Sequence, residues 1–314
     1  MFELLKSLPE FSDRSGVDPY HSPRFNDLDK SEKAAMIFIH GFRGDKKSTW
    51  GKTFEFLREE PKFDMWDIYS YGYNSSIKPD WGKKIWSAEA SITELGAAFM
   101  NELQVRINQG YRSLSIYAHS MGGLVTQVAI LGLSKASRAR LDNVIMFGTP
   151  SNGLIKAWLG ILINNQFRDM SYKSKFIRNL RKKWSSEIND KYPFSFKAVR
   201  GANDEFVPEE SATDVFIKNE TNVIGGNHVR IVKPKSPEDP IINIIKNSLL
   251  VNANYKYKWD PTSLAFERSH FSSVIAICEN IPFEELTYDS QINYILALEE
   301  KGSCLLYTSD AADE

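Results

Sequence analysis

Cysteine is scarce in this chain: there are two in 314 residues, Cys278 and Cys304. Two thiols are too few for a disulfide framework and lack any metal-ligand spacing, which fits a reducing compartment. No apolar run approaches the ~20 residues needed to span a bilayer. The opening "MFELLKSLPEFSDRSG" has none of the basic, apolar and small-residue regions of a secretory signal. These absences predict a cytoplasmic protein. Net charge is missing as well, since 39 Lys+Arg stand against 40 Asp+Glu for a formal −1. No overall field draws such a chain to nucleic acid or to an anionic membrane, so any charge argument is local. Internal repeats and low-complexity tracts are absent too. What is present is a 42% hydrophobic content with 25% charge. That is enough for a full core, and the length suits one large α/β domain with something smaller attached.

The apolar pattern alternates between two kinds of element. "AAMIFIHGFRGD" gives a buried-strand run, Ala34 to Ile39, that stops at a glycine turn, and "MWDIYSYGYNS" gives a second strand, Asp67 to Tyr71. Ser87 to Gln109 reads as a helix, because Ile92, Leu95, Phe99, Leu103 and Ile107 recur at spacings of three and four. "SLSIYAHSMGGLVTQ" then runs a strand into a small-residue turn and an apolar helix. "LDNVIMFGTPSNG", "FSFKAVRGANDEFVP" and "ETNVIGGNHVRIVKP" continue the series, and "PIINIIKNSLLVNA", Pro240 to Ala253, reads as the last helix of the main domain. Strands separated by helices, with glycine-rich loops at the strand ends, predict a mostly parallel central sheet with helices on both faces. Ligands bind such sheets at the carboxyl ends of the strands.

Two regions depart from that alternation. From Gln166 to Lys191 there are eight basic residues against Asp169, Glu187 and Asp190, and Ile177, Leu180, Trp184 and Ile188 share one helical face. This reads as a helical cap with a solvated basic back, or as a lid that covers an apolar pocket or touches anionic lipid. After the last helix, "NYKYKWDPTS" reads as a linker and "YDSQINYILALEEKGS" as a short helix. The final "CLLYTSDAADE", Cys304 to Glu314, resembles the conceptual translation of a sequencing adapter, with the gene cut short near Ser303. The expected organisation is an N-terminal extension over 1–33, a catalytic domain over 34–253 with a cap insertion at about 154–192, the start of a truncated downstream region over 254–303, and the adapter over 304–314.

Serine hydrolysis needs a hydroxyl, a base to take its proton, and donors for the oxyanion that develops on the attacked carbonyl. In "AHSMGG", Ser120 stands between small residues at 118 and 122, the pattern of a nucleophile elbow in which strand and helix approach closely. Ala118 sits where glycine is commoner, and taken alone Ser120 reads equally well as a helix N-cap. Its companions favour the nucleophile. The turn "HGFRG", His40 to Gly44, offers the main-chain N–H of Phe42 to pair with that of Met121 as an oxyanion hole. Asp204 follows one strand and His228 the next, giving the order Ser, Asp, His of the α/β-hydrolase fold. Glu205, Asp142 and Asp214 compete for the acid. His21, His119 and His270 compete for the base, and each is less well placed. His40, Trp50, His119 and Leu154 are candidates for the substrate pocket, together with Phe42 and the basic insertion, and His40 is also expected to orient its loop by hydrogen bonding.

"FIHGFRGD…TW", "AHSMGGL", "FGTPSNG", "GANDEFVP" and "NHVRIVKP" together resemble the lipase-like α/β hydrolases that include serine-active-site proteins of phospholipid remodelling and GPI inositol deacylases. The resemblance covers roughly residues 34 to 252. It implies hydrolysis or transfer of an acyl ester, lipid-like in character, through Ser120, Asp204 and His228 with oxyanion donors at Phe42 and Met121, and without a metal or organic cofactor. It leaves the ester itself open. The alternative is an N-terminal effector or sensor module of a larger nucleotide-binding signalling or defence protein, because similar domains stand ahead of ATPase modules. The phosphate loop G-x-x-x-x-G-K-[ST] that would mark such a fused module is absent from the sequence.

Overall fold

The computed structural model describes residues 16–20, 29–30, 33–42, 44–45, 48–73, 90–154, 169–188, 192–213, 215–216, 220–248, 271–279, 283, 286 and 288–310. Its centre is a seven-stranded sheet: β1 (Gly16–Tyr20), β2 (Ala34–Ile39), β3 (Trp66–Gly72), β4 (Leu114–His119), β5 (Leu141–Phe147), β6 (Ser195–Gly201) and β7 (Thr221–Ile224). The spatial order is β1-β3-β2-β4-β5-β6-β7. Six strands run parallel, and β1 pairs with β3 antiparallel at the edge. β4 and β5, in the middle, are fully buried. This explains why they read in the sequence as near-continuous apolar runs.

Alternate side chains of each strand feed two separate cores. Ala35, Ile37 and Ile39 of β2, with Ile116 and Ala118 of β4 and Val144 and Met146 of β5, pack under three helices: α2 (Ile92–Asn108), α3 (Met121–Gly132) and α4 (Lys175–Glu187). Met36 and Phe38, with Tyr117, Ile145 and Phe147, face α1 (Thr53–Glu59) and α5 (Pro240–Ser248) on the other side. The expected architecture, a mostly parallel sheet sandwiched between helices, is the one observed. The stripe Ile177, Leu180 and Trp184 of the basic segment is buried in the first core, so α4 joins α2 and α3 in the helical layer on that face of the sheet. Residues 155–168 of the same insertion lie outside the described residues.

Local differences from the sequence reading have clear causes. The first long helix starts at Ile92 rather than Ser87, because Ser91 is its N-cap: the Ser91 Oγ accepts from the Glu94 N–H at 3.2 Å, and Glu94 Oε2 accepts from the Ser91 N–H at 2.7 Å. Strand β1 falls in the stretch read as an extension. It is short and carries Pro19, which a sheet tolerates at an edge where no ladder donor is required. Helices α6 (Phe271–Cys278) and α7 (Tyr288–Asp310) pack on each other and on Met65, and Ser273 Oγ donates to Asp64 Oδ2 at 3.0 Å. α6 was not foreseen from the sequence. The expected linker "NYKYKWDPTS" lies outside the described residues. Among those described, no helix is long and apolar enough to cross a membrane, and no three His, Cys, Asp or Glu side chains are grouped to hold a metal ion.

Candidate active site

Ser120 connects β4 to α3 in a backbone conformation that L-residues rarely adopt, φ 54° and ψ −126°. Strain of this kind, of order 1–3 kcal/mol, persists where the surroundings hold it. Here the Ser120 N–H donates to the Phe147 carbonyl at 2.8 Å, and the Ser120 carbonyl accepts from the Gly123 N–H at 3.0 Å. The turn is also tight sterically. A Cβ on Gly122 would lie 2.4 Å from the His40 carbonyl oxygen, and one on Gly41 would lie 2.6 Å from the Ser120 Cβ. Glycine is therefore required two residues after the serine and at Gly41, and the His40–Gly41 loop is pressed against the turn.

The two partners arrive from loops at the same edge of the sheet. Asp204 follows β6, and Asp204 Oδ1 accepts the main-chain N–H groups of Phe206 and Val207 at 3.0 and 2.9 Å. Its other oxygen, Oδ2, lies 2.8 Å from His228 Nδ1. The carboxylate can only accept, so Nδ1 carries the proton and donates it. That leaves His228 Nε2 with a lone pair, 2.9 Å from Ser120 Oγ, whose hydroxyl donates to it. The Asp204 side chain is 1% exposed and that of His228 12%. The chain therefore holds a hydroxyl, an imidazole and a carboxylate in series, with the carboxylate sealed and the hydroxyl end open.

Phe42 is half-buried beside this loop, and Met121 is the first residue of α3, where main-chain N–H groups lack partners within the helix. His40 is fully buried. Its Nε2 accepts the Tyr73 N–H at 3.2 Å, so Nδ1 is the protonated nitrogen and donates to the Gly41 carbonyl at 2.7 Å. The Tyr73 hydroxyl donates to the His40 carbonyl at 2.7 Å and its ring stacks on the imidazole. These bonds make His40 part of the scaffold of the turn rather than of a pocket wall. Trp50, also expected in the wall, is fully buried in the second core, edge-on to Phe38 and Phe147, because the turn Ser48–Trp50 folds its indole onto that face of the sheet. Leu154 is half-buried, bridged to Ser171 and packed against the first core.

Of the rival acids, Glu205 is exposed and Asp142 lies at the amino end of β5, away from Ser120. Asp214, His21 and His270 fall outside the described residues. His119 is buried, and its Nε2 lies 2.9 Å from the main-chain oxygen of His228. Burial, reinforced by His228, keeps its pKa well below the ordinary 6.5. Sequence reasoning missed that bond. It also missed the ring of Phe206, exposed at 5.4 Å from the His228 ring. The only hint was that "DEFVP" places an apolar residue and a proline just after the acid.

No protein-family model matches the chain, and no curated protein matches it in sequence. Solved structures do match it. The phospholipase PlaB of Legionella pneumophila superposes with a TM-score of 0.57 at 14% identity, over 71% of this chain and 61% of that one. Aspergillus fumigatus lipase B gives 0.51 at 16% identity over 88% and 63%. The mature lipase BlEst2 of Bacillus licheniformis gives 0.50 at 16% identity over 71% and 94%. Likeness at such identities is likeness of fold, and with six parallel strands between two helical layers the chain has the α/β-hydrolase fold.

Proposed function

We propose that this protein hydrolyses an acyl ester, lipid-like in character, through a covalent acyl-enzyme on Ser120. The observation that carries the reading is the continuous series Ser120 Oγ, His228 Nε2, His228 Nδ1 and Asp204 Oδ2, with contacts of 2.9 and 2.8 Å. In the first half-reaction, Ser120 Oγ attacks the ester carbonyl carbon as its proton passes to His228 Nε2, and the carbonyl oxygen takes the negative charge. The N–H groups of Phe42 and Met121 are the proposed donors to that oxyanion. Collapse breaks the bond to the alcohol oxygen, which leaves with the proton held on Nε2. A water molecule then repeats the sequence on the acyl-enzyme: Nε2 takes its proton, the acid forms, and Ser120 Oγ recovers the proton. Asp204 stays ionised throughout and keeps the imidazole in the tautomer that can accept at Nε2.

The lipid-like character of the substrate rests on the lipases and the phospholipase among the structures of the same fold and on the apolar Phe206 beside the base. The proposed family is the lipase-like branch whose motifs the sequence resembles. An active-site-directed fluorophosphonate is the test. It should label the native chain at Ser120 and leave Ser120→Ala unlabelled; a folded native chain that resists labelling would sink the proposal. Turnover on acyl esters of rising chain length, expected to increase with length, tests the lipid-like part separately.

A further inference from the structure

His119 closes β4 immediately before Ser120, yet its side chain is turned toward the base. A carbonyl oxygen only accepts, so Nε2 of His119 carries the proton and donates to the His228 carbonyl across 2.9 Å. The two imidazoles lie 4.8 Å apart at 42°. Three basic groups act electrostatically on the His119 ring from the elements around it: His228 on the loop after β7, His40 at the end of β2, and Lys233 beyond the turn Arg230–Val232. Burial is the main cause that disfavours a second proton on His119, these basic groups reinforce it, and the bond to the His228 carbonyl works the other way. A neutral His119 can donate this bond without opposing the positive charge that His228 must acquire when it takes the Ser120 proton.

The strand that presents the nucleophile therefore also grips the main chain of the base, one residue earlier. Resting on the assignment of Ser120 and His228 above, we propose that His119 is a positioning residue for the reaction: its Nε2–H bond to the His228 carbonyl keeps the imidazole in register with Ser120 Oγ during proton transfer. A substrate-binding role would leave this nitrogen facing a cavity, and a purely space-filling role would have no use for a donor at this reach.

The experiment compares native protein with His119→Leu and His119→Gln, measuring kcat and KM on a short soluble p-nitrophenyl ester and the rate constant of fluorophosphonate inactivation. Leucine fills the space without a donor, whereas the glutamine amide nitrogen reaches about as far as Nε2. Losing one hydrogen bond of this type is expected to lower kcat about tenfold in His119→Leu. KM should stay within about twofold, and the inactivation rate should fall in parallel. His119→Gln should recover to within about threefold of native. The proposal is overturned if the leucine variant keeps kcat within twofold, or if the glutamine variant falls as far as the leucine one. Should His119→Leu fail to fold, His119→Asn takes its place: its shorter amide cannot span the distance, so it must lose rate where glutamine does not, and equal rates overturn the proposal. A native chain that is never labelled overturns the nucleophile assignment and this inference with it, while native and leucine chains labelled at equal rates overturn the positioning role alone.

Discussion

At the amino ends of the strands, Asp67 lies buried between Lys33, whose Nζ is 3.2 Å away, and Tyr111, whose hydroxyl donates to it and is bonded in turn to that of Tyr69. At the carboxyl ends, Asp204 is sealed almost as well, but its partners are two main-chain N–H groups and an imidazole. Both carboxylates are satisfied, and the difference lies in what stands behind the partner. Behind Tyr111 stands another phenol, and burial pushes the Tyr111 pKa far above its ordinary value. No proton moves there at neutral pH. Behind the His228 imidazole stands Ser120 on a strained turn at the open edge, so the second network ends in a hydroxyl that, in the proposed mechanism, passes its proton back to His228 as it attacks the ester. One end of the sheet uses buried polarity to fix the fold, and the other, on the function proposed above, uses it to hold a reactive series in place.

Breaking each network in turn separates the two roles. Asp204→Asn should lower turnover by about four orders of magnitude, by analogy with the loss of the acid in other triads. Its thermal melting by circular dichroism should move by only a few degrees, since the amide oxygen that replaces Oδ1 can still accept the Phe206 and Val207 N–H groups. A large loss of stability with turnover retained would reverse the comparison. Asp67→Ala should do the opposite. It strands the Lys33 ammonium in the interior, where the Lys33 and Asp67 side chains are 5% and 3% exposed, and should cost about 3–5 kcal/mol in denaturant unfolding. The kcat of the molecules that remain folded should be native. A loss of kcat there would show that the two ends are coupled.

The smallest effect concerns pH. Folded His119 has a pKa below 6.5, so below that pH the unfolded chain binds a proton that the folded chain refuses. The stability linked to this group is complete above pH 6.5 and declines as the pH falls toward the folded value, by at most ~1.4 kcal/mol per pH unit. Between pH 7 and pH 5 the melting temperature of the native chain should fall more steeply than that of His119→Gln. Parallel curves would mean that His119 accepts a proton without cost.

Much of this was legible in the chain because it rests on local pattern. Strands β2 and β5 are apolar runs, β4 leads into a turn of small residues, and Ser120, Asp204 and His228 stand at strand ends in a fixed order. The helix that begins at Ile92 instead of Ser87 shows where pattern gives way: apolar spacing marks a face, while the Ser91–Glu94 cap sets the start. Strand β1 carried no usable signal, since five residues with a glycine and a proline make a strand only when β3 is alongside to pair with. Trp50 misleads for a related reason. An aromatic residue after a glycine-rich turn can face either side of the sheet, and nothing local decides which.

By itself the sequence determined the alternation of strands and helices, the tight turn around Ser120 and the chain order of the three side chains, since each depends on residues within a few positions of one another. Only the tertiary structure decided that His228 reaches Ser120 across 108 residues, that His40 and Trp50 belong to the scaffold, and that His119 faces the base. Side-chain direction at a strand end is set by what packs against it. Here the deciding neighbours come from β2, β5 and the loop after β7, segments that the sheet brings together and the sequence keeps apart.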